Sequence, residues 1–541
     1  MTMRNTVFFL LTVFFAVSCS DKHEKMMEGP YEPTWESLSQ YGQAPDWFRD
    51  VKFGIWAHWG PQCQPEQGDW YARKMYDEGS AQYRWHVKNY GHPSEFGFKD
   101  VIDLWKADKW EPERLMELYK RVGAQYFFTL GNHHDNFDLW NSSYQRWNST
   151  NMGPMKDIVG GWEQAARKNG MYFGVSIHSA HAWTWMETAQ RSDREGPKAG
   201  IPYDGKQTRA DGKGKWWEGY DPQELYVQNH PLSEGSEDIG RIHKQWAWQD
   251  GASVPDEAYC LNFFDRVADM VNKYNPDLVY YDDTSMPLWP ISDQGLRTVA
   301  HIYNKSVREN NGTNNAVVFA KILTDEQKNA LVWDVEKGVP DQIQEKPWQT
   351  CTCLGQWHYR RSIYDNDGYK SAATVVRMLV DIISKNGNLL LSVPMRGDGT
   401  IDEKEEAVLE GIAAWMDIHK EGVFETRPWK VFGEGPVAEE ANPLSRQGFN
   451  EGKHKPYTAE DIRFVVKDEA LFVHVLAWPE DGKVLIKSLS EGNELYPETI
   501  STVELMGTDE PVVFERTRAG LAVKLPADIQ PDDISFALKI N

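Results

Sequence analysis

The feature that most constrains this chain is a strand–helix alternation running from about residue 45 to about residue 400. One unit shows it clearly. Leu115, Leu118, Tyr119 and Val122 recur at the spacing of one helical face. Gly123 stops that helix, and the apolar run Tyr126–Leu130 follows as a buried strand. A second unit places a helix over about 157–168, ended by Asn169-Gly170, before a strand from Met171 to Ile177. Phe264, Val267, Val271 and Tyr274 mark a further helix, stopped by Asn275-Pro276, with Leu278–Tyr281 as the strand after it. A helix over about 370–385 precedes the last strand of the series, Leu389–Val393. Such repetition implies a parallel sheet with helices outside it. Its length, and the polar motifs at its strand ends, fit a closed (β/α) barrel better than an open sheet. In such barrels the active site lies at the C-terminal ends of the strands.

The flanks read differently. After about residue 425, short runs such as Arg463–Val466, Leu471–Leu476, Val484–Ile486, Val512–Phe514 and Leu521–Leu525 alternate with turns, the pattern of a small β-sandwich. Residues 186–240 interrupt the alternation; they are rich in Gly, Lys and Asp and contain Trp216, Trp217 and Tyr220. They read as a long functional loop over the barrel mouth. The chain starts MTMRNTVFFLLTVFFAVSCS, with Arg4 ahead of an apolar run from Val7 to Val17 that is too short for a permanent membrane span. This is a secretory signal pattern. Its close, Ala16-Val17-Ser18-Cys19, resembles a bacterial lipobox, so Cys19 is expected to become a lipidated N-terminus; ordinary signal cleavage nearby is the alternative. The expected organisation is a signal peptide over 1–19, a tether and entry segment over 20–44, the catalytic barrel over 45–425 and the sandwich over 426–541. Membrane contact is expected through the lipid anchor only, at the periplasmic or outer cell surface.

A net charge of −23 over 541 residues repels phosphate backbones and argues against nucleic acid as a partner. The 24 Trp suit sugar faces but also simply fill cores. Cys63, Cys260, Cys351 and Cys353 lack paired zinc-ligand spacing and read as free buried thiols.

Five polar clusters carry the candidate chemistry. An apolar strand ends in His58 and Trp59, open to a structural or a functional reading. Asp69 and Trp70 follow in the loop after it. His133 and His134 end the 126–130 strand next to Asp135; adjacent strand residues point apart, which suits sugar hydroxyls better than a metal ion. Tyr280, Asp282 and Asp283 end the 278–281 strand, where a carboxylate serves either catalysis or a helix cap. Glu336, in Trp333-Asp334-Val335-Glu336-Lys337-Gly338, is by itself one acid among many.

Together these stretches resemble a known family. WFRDVKFGIWAHWG, GDWYARKMY, GNHHDNFDLW, NPDLVYYDD, WDVEKG and WQTCTC look like the α-L-fucosidases of glycoside hydrolase family 29, over roughly residues 45–435. The resemblance implies a retaining hydrolase of terminal α-L-fucosyl linkages in glycans, without cofactor or metal. Asp282 falls at the family's nucleophile and Glu336 at the acid/base. His58, His133 and His134 match its sugar-contacting histidines, with Trp59, Asp69, Trp70 and Tyr280 expected in the same pocket. There are departures: Asp69 and Gln349 stand where many members carry Glu, and Ile177-His178-Ser179 replaces a Tyr-rich strand end. Gln349 cannot trade protons, which leaves Glu336. The competing readings are an α-L-galactosidase on the same scaffold, a metal-dependent hydrolase using His133 and His134, and a sugar-binding lipoprotein without turnover.

Overall fold

The computed structural model describes residues 23–236, 248, 251–440, 443–444, 448–527 and 534–541. The lipobox Cys19 lies outside the described residues. Eight parallel strands close into a barrel in chain order. They are β1 (Phe53–Ala57), β2 (Tyr126–Leu130), β3 (Tyr172–Ile177), β4 (Leu278–Tyr281), β5 (Val317–Ala320), β6 (Val332–Glu336), β7 (Trp348–Cys353) and β8 (Gly387–Ser392). β8 pairs back onto β1 through Phe53–Leu389 and its neighbours.

Helices between the strands start on acidic or hydroxyl caps. Asp157 accepts from the Gly160 amide ahead of helix Ile158–Lys168, and Asp256 caps Glu257–Tyr274 in the same way. Each such bond satisfies an amide that the first helical turn leaves free. Asn275, left-handed at φ 45°, ends the second of these helices one residue before Pro276.

The barrel interior is packed with rings. Tyr126 lies opposite Gly54 across the β1–β2 ladder, and a Cβ at Gly54 would come within 2.3 Å of that ring. Phe128 lies opposite Gly174 on β3 in the same way, at 2.6 Å. Glycine on one strand makes room for a ring on the next. A mouth-side layer of Trp56 and Tyr280, with centroids 5.0 Å apart, closes the interior below the site.

Beyond the barrel come β9 (Arg427–Glu434), β10 (Ile462–Lys467), β11 (Ala470–Val475), β12 (Lys483–Ile486), β13 (Val503–Leu505), β14 (Val513–Thr517), β15 (Gly520–Lys524) and β16 (Phe536–Ile540). They form a five-stranded sheet, β13-β16-β11-β10-β9, and a three-stranded sheet, β12-β15-β14. Phe464, Leu471 and Leu538 of the first share a core with Val484, Leu521 and Val523 of the second. The two sheets thus pack as the expected sandwich.

Two expectations need correction. From His23 onward the segment read as a tether is docked on the barrel. His23 Nδ1 sits 2.6 Å from Asp265, Asn304 accepts from the Tyr31 amide at 2.9 Å, and Tyr41 stacks on Tyr303. Residues 186–236 pack against the segment between β1 and β2, and none of them, as far as they are described, lines the cavity at the barrel mouth. Trp217 is buried beneath the Lys99 ammonium, Trp216 donates to Asp100 at 2.8 Å, and Asp204 accepts from Tyr76 and Tyr226. Lys99 is buried, and Asp204 of this loop supplies a carboxylate to pair with it at 2.8 Å. The four described cysteines are free and buried. Among the described residues no helix is long and apolar enough to cross a membrane.

Candidate active site

Each barrel strand from β1 to β6 delivers polar side chains to one end of the barrel, and the loop after β7 adds two aromatic ones. His58 follows β1, His133 and His134 follow β2, and His178 follows β3. Asp282 and Asp283 follow β4, Lys321 follows β5, Glu336 ends β6, and Trp357 and His358 lie in the loop after β7. A cavity of about 340 Å³ opens there. His58, Asp69, Trp70, His133, Tyr280, Asp282 and Glu336 all line it.

Asp282 is the most heavily bonded group. Its Oδ2 lies 3.0 Å from His178 Nδ1 and 3.2 Å from His134 Nε2, and its Oδ1 lies 2.5 Å from the Lys321 ammonium. Burial pushes this carboxyl up, but Lys321, His178 and His134 outweigh burial and hold it well below the usual carboxylate range. Lys321 also reaches Glu336 Oε2 at 2.6 Å. Burial disfavours its charge, yet the two carboxylates hold the ammonium well above its ordinary range. Because one nitrogen touches both acids, Oδ1 of Asp282 and Oε2 of Glu336 lie no further apart than the two contacts end to end, about 5 Å.

Burial disfavours the charged form of His58, His133, His134 and His178 around this pair. Burial first, and crowding by other imidazoles second, push His58 and His133 well below their ordinary value. Burial lowers His178 to about 4, with Asp282 opposing. Hydrogen bonds set the tautomers. Gln62 donates to His133 Nδ1 at 2.9 Å, so the His133 proton sits on Nε2. His134 Nδ1 donates to the His178 carbonyl at 2.6 Å, which locks that ring beside Asp282. Among the described residues neither ring nitrogen of His58 or of His358 finds a hydrogen-bond partner, although His358 Nδ1 lies 3.5 Å from Asp69 Oδ1. His58, His133 and His358 bring one ring nitrogen each within 4.8 Å of one another, as do His133, His134 and His178. These two triads are the positions from which a transition metal could be held. In the second, His134 Nδ1 is already committed to a carbonyl.

The expected site residues divide. Trp59 is a correction. It is 1% exposed, donates to the Arg396 carbonyl at 2.8 Å and packs on Trp105, and it is absent from the cavity wall. Next to His58, which lines the cavity, it points into the core instead. His134, expected to contact sugar, is a second correction: it is absent from the cavity wall and stands behind Asp282, its Nε2 3.2 Å from Oδ2. Tyr280 forms the floor, its hydroxyl donating to Asp334 Oδ1 at 3.3 Å. Asp69 reaches the wall but accepts the His358 amide at 2.7 Å. Gln349 lies beneath the site, donating to Asp334 at 2.9 Å and accepting from Tyr126 at 3.0 Å. Burial pushes Asp334 up to about 6.

Sequence reasoning missed Lys321, His178, Trp357, His358 and Phe449 as site residues. Lys321 and His178 share the signal that found Asp282, a polar residue closing an apolar strand. Phe449 carries no such signal.

The family model described as "Alpha-L-fucosidase" matches residues 18–421, and that described as "Alpha-L-fucosidase C-terminal domain" matches residues 455–541. The chain is similar to the tissue alpha-L-fucosidase of Rattus norvegicus, 25% identical over 473 residues that cover 85% of this chain and 81% of that protein. It is also similar to the alpha-L-fucosidase of Branchiostoma floridae, 22% identical over 505 residues that cover 92% of each. Among solved structures, the Thermotoga maritima alpha-fucosidase superposes with a TM-score of 0.67 at 24% identity, covering 94% of this chain and 100% of that one. Isoenzyme 1 of Paenibacillus thiaminolyticus gives 0.60 at 18% identity, covering 94% and 99%. With a family model matched along most of its length and an eight-stranded barrel to match, the chain belongs to the alpha-L-fucosidase family.

Proposed function

We propose that the chain hydrolyses terminal α-L-fucosyl linkages of glycans with retention, using Asp282 as nucleophile and Glu336 as acid/base. One observation carries the reading: two carboxylates whose Lys321-bound oxygens lie at most about 5 Å apart, in one cavity wide enough for a sugar. Retaining pairs are separated by about 5–5.5 Å. Asp282, held ionised, attacks the anomeric carbon and forms a glycosyl-enzyme. Glu336 gives a proton to the departing oxygen and then takes one from water. Lys321 faces Oε2 of Glu336, leaving Oε1 for that proton. His133, with its proton on Nε2, offers a donor to a sugar hydroxyl, and neutral His58 offers a donor and an acceptor. A protein that only bound sugar would have no need of two facing acids. Asp282→Asn is expected to fold normally and to lose on the order of a thousandfold or more in kcat on an aryl α-L-fucoside. Glu336→Ala is expected to recover turnover with added azide. Wild-type rates in the first variant, or no azide response in the second, overturn the respective assignment.

The same proposal includes export and a lipid anchor on Cys19, supported by the signal-like run that ends there. Cys19→Ser is expected to move the protein from the detergent phase to the aqueous phase in Triton X-114 partitioning. Unchanged partitioning counts against the anchor.

A further inference from the structure

The segment joining barrel to sandwich returns to the barrel mouth at Gly448–Glu451. Gly448 forms an isolated parallel bridge with Glu336, and the Phe449 amide donates to the Glu336 carbonyl at 2.9 Å. This approach demands glycine. Gly448 sits at φ 104°, and a Cβ there would lie 2.4 Å from the Glu336 carbonyl oxygen. The next two residues are fastened. The Asn450 side chain accepts from the Val339 amide at 2.9 Å and donates to its carbonyl at 3.0 Å. Glu451 accepts from Thr352 at 2.6 Å and pairs with Lys370 at 2.8 Å.

Between these anchors Phe449 is held at φ 56°, a left-handed conformation uncommon for a bulky side chain. Its ring joins neither hydrophobic core among the described residues and is 38% exposed, yet it lines the same cavity as Glu336. A phenyl ring kept out of the core, in an unfavourable backbone conformation, at the edge of a sugar-sized cavity, has a ligand-facing surface and no folding reason to be there.

We infer that Phe449 is the platform of the leaving-group subsite, on which the pyranose ring departing with the glycosidic oxygen stacks its apolar face. The inference rests on the reading of Glu336 as acid/base. The proton must reach the oxygen that joins the two sugars, so the departing ring lies against the Glu336 side of the mouth. Phe449 is the aromatic residue bonded to Glu336 through the backbone. The ligand class is a saccharide leaving group, and the segment after the barrel thereby supplies part of the glycan specificity.

The test compares two substrates in the full chain. α-L-Fucosyl fluoride has a leaving group with no ring to stack; a reducing fucosyl disaccharide has one. Phe449→Ala is expected to lower kcat/KM on the disaccharide roughly tenfold more than on the fluoride, a size set by aromatic stacking. Phe449→Trp should restore the wild-type ratio between the substrates. If the alanine variant does not fold, Phe449→Leu keeps the apolar volume without the ring and should show the same change in ratio. A ratio unchanged in the alanine or leucine variant, with wild-type protein active on both substrates, overturns this inference alone. Wild-type protein inert on both substrates overturns the proposed hydrolysis, and this inference with it.

Discussion

Lys321 brings a positive charge to the one place where two acids must face each other at short range. At that separation two carboxylates repel, and burial disfavours both charges. An ammonium touching each removes the repulsion and ties the end of β5 to those of β4 and β6. Lys321→Met keeps the stem and removes the charge. It is expected to cost kcat/KM roughly tenfold to a hundredfold, the worth of a charge-assisted hydrogen bond. The pH dependence has a definite sign. Asp282 is held below its ordinary range chiefly by Lys321, working against burial, so it stays ionised far into acid. Without the lysine, burial dominates, the Asp282 pKa rises, and the acidic limb of the kcat/KM profile moves to higher pH. A limb that stays in place, or moves to lower pH, counts against this role for Lys321. The sequence marks this lysine only as the polar close of an apolar strand; its meaning lies in two carboxylates 39 and 15 residues away.

At the scale of elements, the strands read most easily are apolar throughout. β2 and β4 match their expected spans, because runs such as Tyr126–Leu130 and Leu278–Tyr281 are buried on both faces. The strands β5, β6 and β7 escaped the pattern. β6 and β7 carry Asp334, Glu336, Gln349 and two threonines in extended backbone. Asp334 and Gln349 satisfy each other inside the barrel, so the polar residues that hide these strands in sequence are the ones that build the floor of the site. The glycine–ring pairs are the other device at this scale. Gly174→Ala drives a methyl into Phe128 and is expected to destabilise the protein by about 1–3 kcal/mol, measured by urea denaturation. A midpoint equal to that of wild type would mean that the ring can move aside.

The whole molecule is joined at a buried charge cluster. Arg463 of β10 reaches Asp381 on the barrel helix Ala372–Ser384 at 2.5 Å, and Lys385 holds the other oxygen at 2.9 Å. Burial raises the Asp381 pKa, but the two cations outweigh it and bring the carboxyl down to about 2. A depressed carboxyl contributes stability above its unfolded value near 4, and loses it as pH falls toward 2. Asp381→Ala leaves Arg463 buried and unpaired, and is expected to cost about 3–5 kcal/mol and to flatten the acid dependence of Tm between about pH 4 and 2. Calorimetry showing a wild-type Tm and the same acid dependence would remove the cluster as the joint. The sandwich is thus fastened to the barrel, and the segment leading to it returns to the mouth at Phe449. By itself the sequence determined the barrel and the sandwich, because helical and strand periodicities follow from local backbone geometry and survive in the order of residues. It also determined that Asp282 closes a buried strand. Only the tertiary structure decided that Glu336 and Lys321 meet Asp282, that Trp59 turns into the core while Trp70 lines the cavity, and that Phe449 arrives from beyond the barrel. Those are distances through space between residues far apart in the chain, and they exist only once the strands have closed into a ring.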